Sequence, residues 1–327
     1  MLRLAWRARV SLALVGCAML DVMPYDTADL RSQLASPTGT AAPPGAVWPP
    51  QFLTFPTMAP TETSAAGSST WLVRSQTCCV AFSQMRAGDQ LTRHGQLDEY
   101  MVLCNDDAAD LSVSWSGGAG GELRGAGVIV VPPGDSSVTV HTASAVSRLF
   151  SCRSTDLLER CENRALYEVP DPNVPAFTAW PDPPSGHRVR VYPMADVPAD
   201  PKRFGRLFRC STIMVNVFES VPEPRDPAKL SPHHHDDFEQ LSLTFAGDYV
   251  HHIRTPWTVD MANWRDDDHA FVPSPAVTII PPPTVHTSQA VHHMPHQLVD
   301  IFAPPRHDFS AKPGWVLNAD EYPIPPA

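Results

Sequence analysis

Three histidines stand in a row at His233, His234 and His235, with Glu239 and Gln240 close behind and His286 further along. In an extended strand, residues two apart point the same way, so His233 and His235 can converge while His234 points elsewhere. Glu239 keeps that even spacing, whereas Gln240 needs a bend or bulge to join them. Two imidazoles and a carboxylate with open coordination positions suit non-haem Fe(II), and a third imidazole also accommodates Mn, Ni, Cu or Zn. Eleven of the 14 histidines fall between positions 233 and 307, which places the candidate chemistry in the C-terminal third.

Composition bounds the rest. The chain has 327 residues, enough for two ordinary domains, and 43% hydrophobic residues, enough for a real core. Its formal net charge is -11, and past the N-terminus no Lys/Arg run exceeds a pair, which argues against a nucleic-acid partner. All seven cysteines lie at or before position 210 and form no CxxC pair, so free thiols in a reducing compartment are expected rather than a cysteine zinc site. Arg3, Arg7 and Arg9 precede the apolar stretch Val10 to Leu20. That stretch is too short to span a bilayer. Residues 1–22 are read as a start placed too early, with Met23 the natural start and the protein cytoplasmic. The alternative is a secreted or lipid-anchored product held through Cys17, the only route to a membrane considered.

The elements that must position the histidines are strands. There are 36 prolines and 17 glycines, with proline pairs and the triplet Pro281-Pro282-Pro283 interrupting helices every few tens of residues. Between them lie short runs rich in Val, Ile, Phe and Thr, so an all-β protein is expected. Residues 23–70 read as an extended Pro/Ala/Ser/Thr-rich arm. A first strand-rich unit covers 71–165, and a helix is expected to start near Thr155. A connecting segment at 166–225, a second strand-rich unit at 226–310 and a tail at 311–327 anchored by Trp315 and Tyr322 complete the chain. The two units share a weak internal repeat, which a duplicated barrel explains.

At these residues the chain resembles the cupins. His233-x-His235-x-x-x-Glu239, then Gly247, then Pro281-x-Pro283-x-x-His286, is similar to the two sequence motifs of that superfamily, over about 75 residues. The resemblance implies two double-stranded β-helix (cupin/jelly-roll) barrels in one chain, with a divalent metal, Fe(II) foremost, on His233, His235, Glu239 and His286. Gly247 is one residue late if Glu239 is the acidic-position ligand and on spacing if Gln240 is, so both stay open. Pro283 stands where the superfamily usually has Gly. The first unit looks like a decayed copy: His94-Gly95-Gln96, Glu99 and Pro132-Pro133-Gly134-Asp135-Ser136-Ser137 sit at the motif positions with most ligands gone. The resemblance therefore implies a bicupin with a single working metal site.

Around that site, Arg254 could hold a substrate carboxylate in a bidentate fork, or form a surface pair with Asp260 or Asp266. His252 could carry a proton. His292, His293 and His296 read as exposed turn residues, and Asp300 with Arg306 as a structural pair. The resemblance implies a small-molecule substrate and three functions: first, an Fe(II) dioxygenase of a small carboxylic acid, aromatic acids included; second, a non-redox metal-dependent isomerase or lyase; third, a non-catalytic small-molecule-binding cupin. Barrel edge strands and the apolar arm are compatible with a homodimer.

Overall fold

The structure is a computed structural model; it describes residue 30 and residues 46–198 and 200–325. The signal-like segment 1–22, Cys17 and the arm up to residue 45, apart from residue 30, lie outside the described residues. No helix among the described residues is long and apolar enough to cross a membrane.

Among the described residues, twenty strands follow one another. They are β1 (Gln51–Thr54), β2 (Glu62–Thr63), β3 (Ser69–Arg74), β4 (Cys78–Gln84), β5 (Gln90–Gln96), β6 (Tyr100–Cys104), β7 (Asp110–Trp115), β8 (Gly118–Arg124), β9 (Gly127–Val131) and β10 (Gly134–Val140). Then come β11 (Ala145–Ser151), β12 (Arg190–Pro193), β13 (Arg206–Arg209), β14 (Met214–Val217), β15 (Gln240–Ala246), β16 (Asp248–Arg254), β17 (Asp268–Pro273), β18 (Ala276–Ile280), β19 (Val285–Val291) and β20 (Gln297–Phe302). The expected helix near Thr155 is only the short Thr155–Leu158 turn.

Two barrels result. The first sets a seven-stranded sheet, in the order β12-β9-β6-β11-β4-β3-β2, against a four-stranded sheet, β5-β10-β7-β8. The second sets a six-stranded sheet, β1-β18-β15-β20-β14-β13, against a three-stranded one, β17-β16-β19. Chain order and barrel membership differ from the sequence reading at two places. The segment expected as an extended arm with little structure of its own supplies β1, which pairs with β18 of the second barrel through Gln51↔Ile279 to Thr54↔Ala276, and β2, which pairs with β3 of the first. The expected connector supplies β12 to the first barrel and β13 and β14 to the second. β1, β12 and β13 are edge strands, short and paired on one side, whereas β14 lies inside the sheet between β20 and β13.

Strand alternation explains where the core lies. On β4, Cys78, Val80 and Phe82 join Leu241, Leu243, Val299 and Ile301 of the second barrel in a single apolar layer between the two large sheets. The alternate residues Cys79 and Ala81 pack with Leu91, Tyr100, Leu111, Ile129 and Val138 inside the first barrel. In the second barrel the same alternation delivers polar groups inward: Leu241, Leu243, Val299 and Ile301 face the layer, while Gln240, Ser242 and Asp300 are buried on the other face. The motif-position residues of the first barrel are engaged elsewhere. Gln96 bonds Asp98 and Ser154, and Glu99 accepts from Ser211 and from Tyr322 of the tail. The six described cysteines are free thiols, five of them buried.

Candidate metal centre

The proline triplet ends β18 and turns the chain, with Thr284 N–H and Oγ1–H both donating to the Pro281 carbonyl (3.2 and 2.7 Å). That turn launches β19 with His286 near its start. The segment carrying His233 pairs with it: His233 N–H donates to His286 O (3.0 Å) and His286 N–H donates to His233 O (2.7 Å). This isolated antiparallel bridge joins the two histidine-bearing stretches directly.

His233, His235 and His286 converge. Each offers a ring nitrogen, and these atoms all lie within 4.8 Å of one another. All three side chains are buried. Two tautomers follow from neighbours. His233 Nδ1 lies 2.8 Å from the Ser231 carbonyl, and His286 Nδ1 lies 3.0 Å from the Thr284 carbonyl. A carbonyl oxygen only accepts, so each ring carries its proton on Nδ1 and turns the Nε2 lone pair toward the cluster. Metal-binding imidazoles are commonly oriented this way. His235 stacks on Phe238 with ring centres 4.4 Å apart. Burial first, then the Arg306 charge and the two neighbouring imidazoles, hold its pKa well below the usual histidine value. It is therefore neutral; its Nε2–H donates to Gln240 Oε1 (3.0 Å), so ligation through Nε2 requires the ring proton to move to Nδ1. The donor set fits a divalent ion of the class that accepts imidazole nitrogen.

Glu239 and Gln240 part company. Gln240 Oε1 stands 3.0 Å from His235 Nε2, while its Nε2 donates to Asp300 Oδ1 (3.1 Å) and Ser242 Oγ (3.2 Å). Ser242 Oγ also donates to Asp300 Oδ1 (2.7 Å). The acceptor-only carboxylate draws the amide NH2 and leaves the amide oxygen facing the imidazoles. Glu239 points away, into the junction with the first barrel. It accepts from Gln76 N–H (2.5 Å) and Tyr167 O–H (3.0 Å). Burial pushes its pKa up to about 7. The four-residue set with Glu239 does not assemble; Gln240, at the start of β15, occupies that side of the cluster.

The two residues expected to be catalytic lie outside. On β16, Tyr249, His251 and Ile253 are the buried positions, so His252 and Arg254 face outward. Arg254 grips Asp267, with Nε at 3.1 and 3.0 Å and Nη2 at 2.6 Å, and its side chain is 70% exposed. Its partner is one residue beyond the expected Asp266. His252 contacts His269 and Gln289. The strand's phase could not be read from polar residues on both faces. His251 takes the inward place, with Nδ1 2.9 Å from Ser288 Oγ, and burial depresses its pKa to about 3.

Beside the histidines lies a cavity of about 500 Å³. His233, His286, Gln240 and Asp300 line one part of it, Phe204, Phe218, Ala290 and Leu298 give it apolar wall, and Arg225 supplies a cation. Arg225 Nη2 donates to Ser231 Oγ (2.8 Å) and Nη1 to the Ser288 carbonyl (3.0 Å). Asp300 was expected to pair with Arg306. Arg306 instead bonds Asp308 and lies 3.7 Å over the Phe309 ring, which leaves Asp300 to the cavity. His296, expected at an exposed turn, is buried in the cavity wall, whereas His292 and His293 are exposed and contact Asp248 and Glu223. The missed residues, Asp300, Arg225 and Ser242, carried no sequence signal beyond the alternation of β20 and β15.

No protein-family profile matches this chain, and no curated protein matches it in sequence. Solved structures do match in fold. The Lactobacillus farciminis oxalate decarboxylase, described as a formate complex, superposes with a TM-score of 0.53 at 11% identity, covering 83% of this chain and 88% of that one. A variant of Bacillus subtilis oxalate decarboxylase gives 0.53 at 11% identity, over 79% of this chain and 78% of that one. A second Bacillus subtilis variant gives 0.52 at 10%, over 82% of each. With two barrels built in one chain and matched over most of their length, this chain has the cupin fold in its two-barrel, bicupin form.

Proposed function

We propose that the second barrel is a metal-dependent active site for a small carboxylic acid, with His233, His235 and His286 as metal ligands and the Gln240 amide oxygen beside them. The convergence of three buried imidazoles onto one point carries this reading. A divalent ion held there would act as a Lewis acid on a substrate oxygen. The remaining roles belong to the chain. Arg225 places a positive charge in the cavity wall and suits a substrate carboxylate. Phe204, Phe218 and Leu298 keep that end of the cavity apolar. Asp300, held by Gln240 and Ser242 beside the histidines, is the carboxylate we assign to proton transfer, with Glu219 and Glu223 elsewhere in the cavity lining.

Asp300 favours a non-redox reaction, such as carbon–carbon cleavage or isomerisation, in which a proton must be moved. The three solved structures named above are oxalate decarboxylases, which agrees in direction with that reading. A second reading, an Fe(II) dioxygenase of an aromatic acid, draws on the apolar wall and the all-nitrogen histidine set. One experiment separates them. Protein loaded in turn with Mn(II), Zn(II) and Fe(II) is assayed against a panel of small carboxylic acids with and without oxygen. Turnover without oxygen supports the first reading; turnover that consumes oxygen supports the second. Failure of every metal to bind removes both.

A further inference from the structure

Outside the cavity, a second pair of imidazoles meets on the opposite face of β16. His252 and His269 are direct cross-strand partners in the β16–β17 ladder. Directly opposed residues on neighbouring antiparallel strands bring their side chains within contact distance. Here the two Nδ1 atoms stand 2.7 Å apart. The other nitrogen of His252, Nε2, lies 3.1 Å from Gln289 Oε1 on β19. With the Gln289 amide oxygen as acceptor, His252 carries its proton on Nε2 and aims the Nδ1 lone pair at His269. In the metal-free state His269 Nδ1–H donates to that lone pair. His269 is exposed, so it can move its proton to Nε2, toward water, at no cost in net charge. Both Nδ1 lone pairs then face the same space, and no proton need be released.

We infer that His252 and His269 form a second, surface metal site, selective for borderline ions that prefer imidazole nitrogen, namely Zn(II), Ni(II) and Cu(II). Gln289 is its outer support, orienting His252 as a second shell orients a ligand. The site is independent of the cavity histidines, because His252 faces out while His251 faces in. A bound ion would tie the edge strand β17 to β16. Two protein ligands leave the remaining positions to water, so this site binds more weakly than the three-histidine cluster.

The test is calorimetric titration of untagged, full-length protein with Ni(II) and, separately, Zn(II). Wild type should show a tight class and a weaker class of sites. His269→Ala should abolish the weaker class alone. Gln289→Leu should weaken that class about tenfold, the lower end for loss of an outer-shell partner. His286→Ala should lose the tight class and keep the weaker one, so failure of the cavity proposal and failure of this one look different. Circular dichroism melting checks that each variant is folded. A His269→Ala isotherm superimposable on wild type, or no weaker class in wild type, would overturn the proposal.

Discussion

His233 and His286 exchange both of their backbone hydrogen bonds, N–H to O in each direction, at 3.0 and 2.7 Å. Their rings consequently sit 4.4 Å apart, centre to centre. The cluster is thus fixed by main chain as well as side chain. Replacing either ring should leave the bridge intact and remove only a ligand, so His286→Ala should keep a melting temperature close to that of the metal-free wild type while losing metal affinity.

Gln240, not Glu239, should govern the metal. Gln240→Ala removes the amide next to His235 and should weaken metal binding by about tenfold or more, as loss of a ligand or of its support does. Glu239→Gln should leave metal affinity unchanged. Equilibrium dialysis with Mn(II) or Zn(II) compares the two.

Glu239 should instead govern the pH dependence of stability. Its folded pKa is raised to about 7 from 4.5, chiefly by burial. A raised pKa contributes stability that is fully present below the unfolded value and is lost as pH rises through the folded one. Wild type should therefore lose stability between about pH 4.5 and pH 7, by at most about 3 kcal/mol from this group. Glu239→Gln should flatten that slope. Urea unfolding at pH 5 and pH 8 measures it.

Gly247 makes the turn by which the chain leaves β15 for β16, at φ +95°, and a Cβ there would meet His296 Cδ2 at 2.5 Å. Gly247→Ala should destabilise the fold by about 2 kcal/mol, from the left-handed conformation and the overlap together. A shift in the urea midpoint with an unchanged m-value would show it.

Asp300→Asn should lower kcat by about 10²-fold or more, the range for loss of a general acid or base, with metal still bound. Arg254→Ala should leave turnover as it is, because its guanidinium is occupied by Asp267 on the outer surface.

The bicupin architecture was legible because proline-ended Val/Ile runs recur in both halves and the histidine spacing fits a strand. His233, His235 and His286 were legible for the same reason, being set by alternation and by the proline turn. The acidic position was not legible, since Glu239 and Gln240 are adjacent and the phase at the start of β15 decides which faces inward. On β16 the phase was hidden too: His251, His252 and Arg254 are polar on both faces, so the strand offers no apolar side to orient it. Strand β1 escaped notice because its four residues, QFLT, become a strand only by pairing with β18, some two hundred residues later. Asp300 and Arg225 belong to the cavity through tertiary contacts that no local pattern announces.

The proposed metal centre requires three imidazoles from two separated stretches to share an ion. Metal analysis of untagged protein after dialysis against metal-free buffer, beside the folded His286→Ala variant, decides whether they do. Stoichiometric metal is expected in the native protein, and its loss in the variant. Equal metal in both, or none in the native protein after loading, would contradict it.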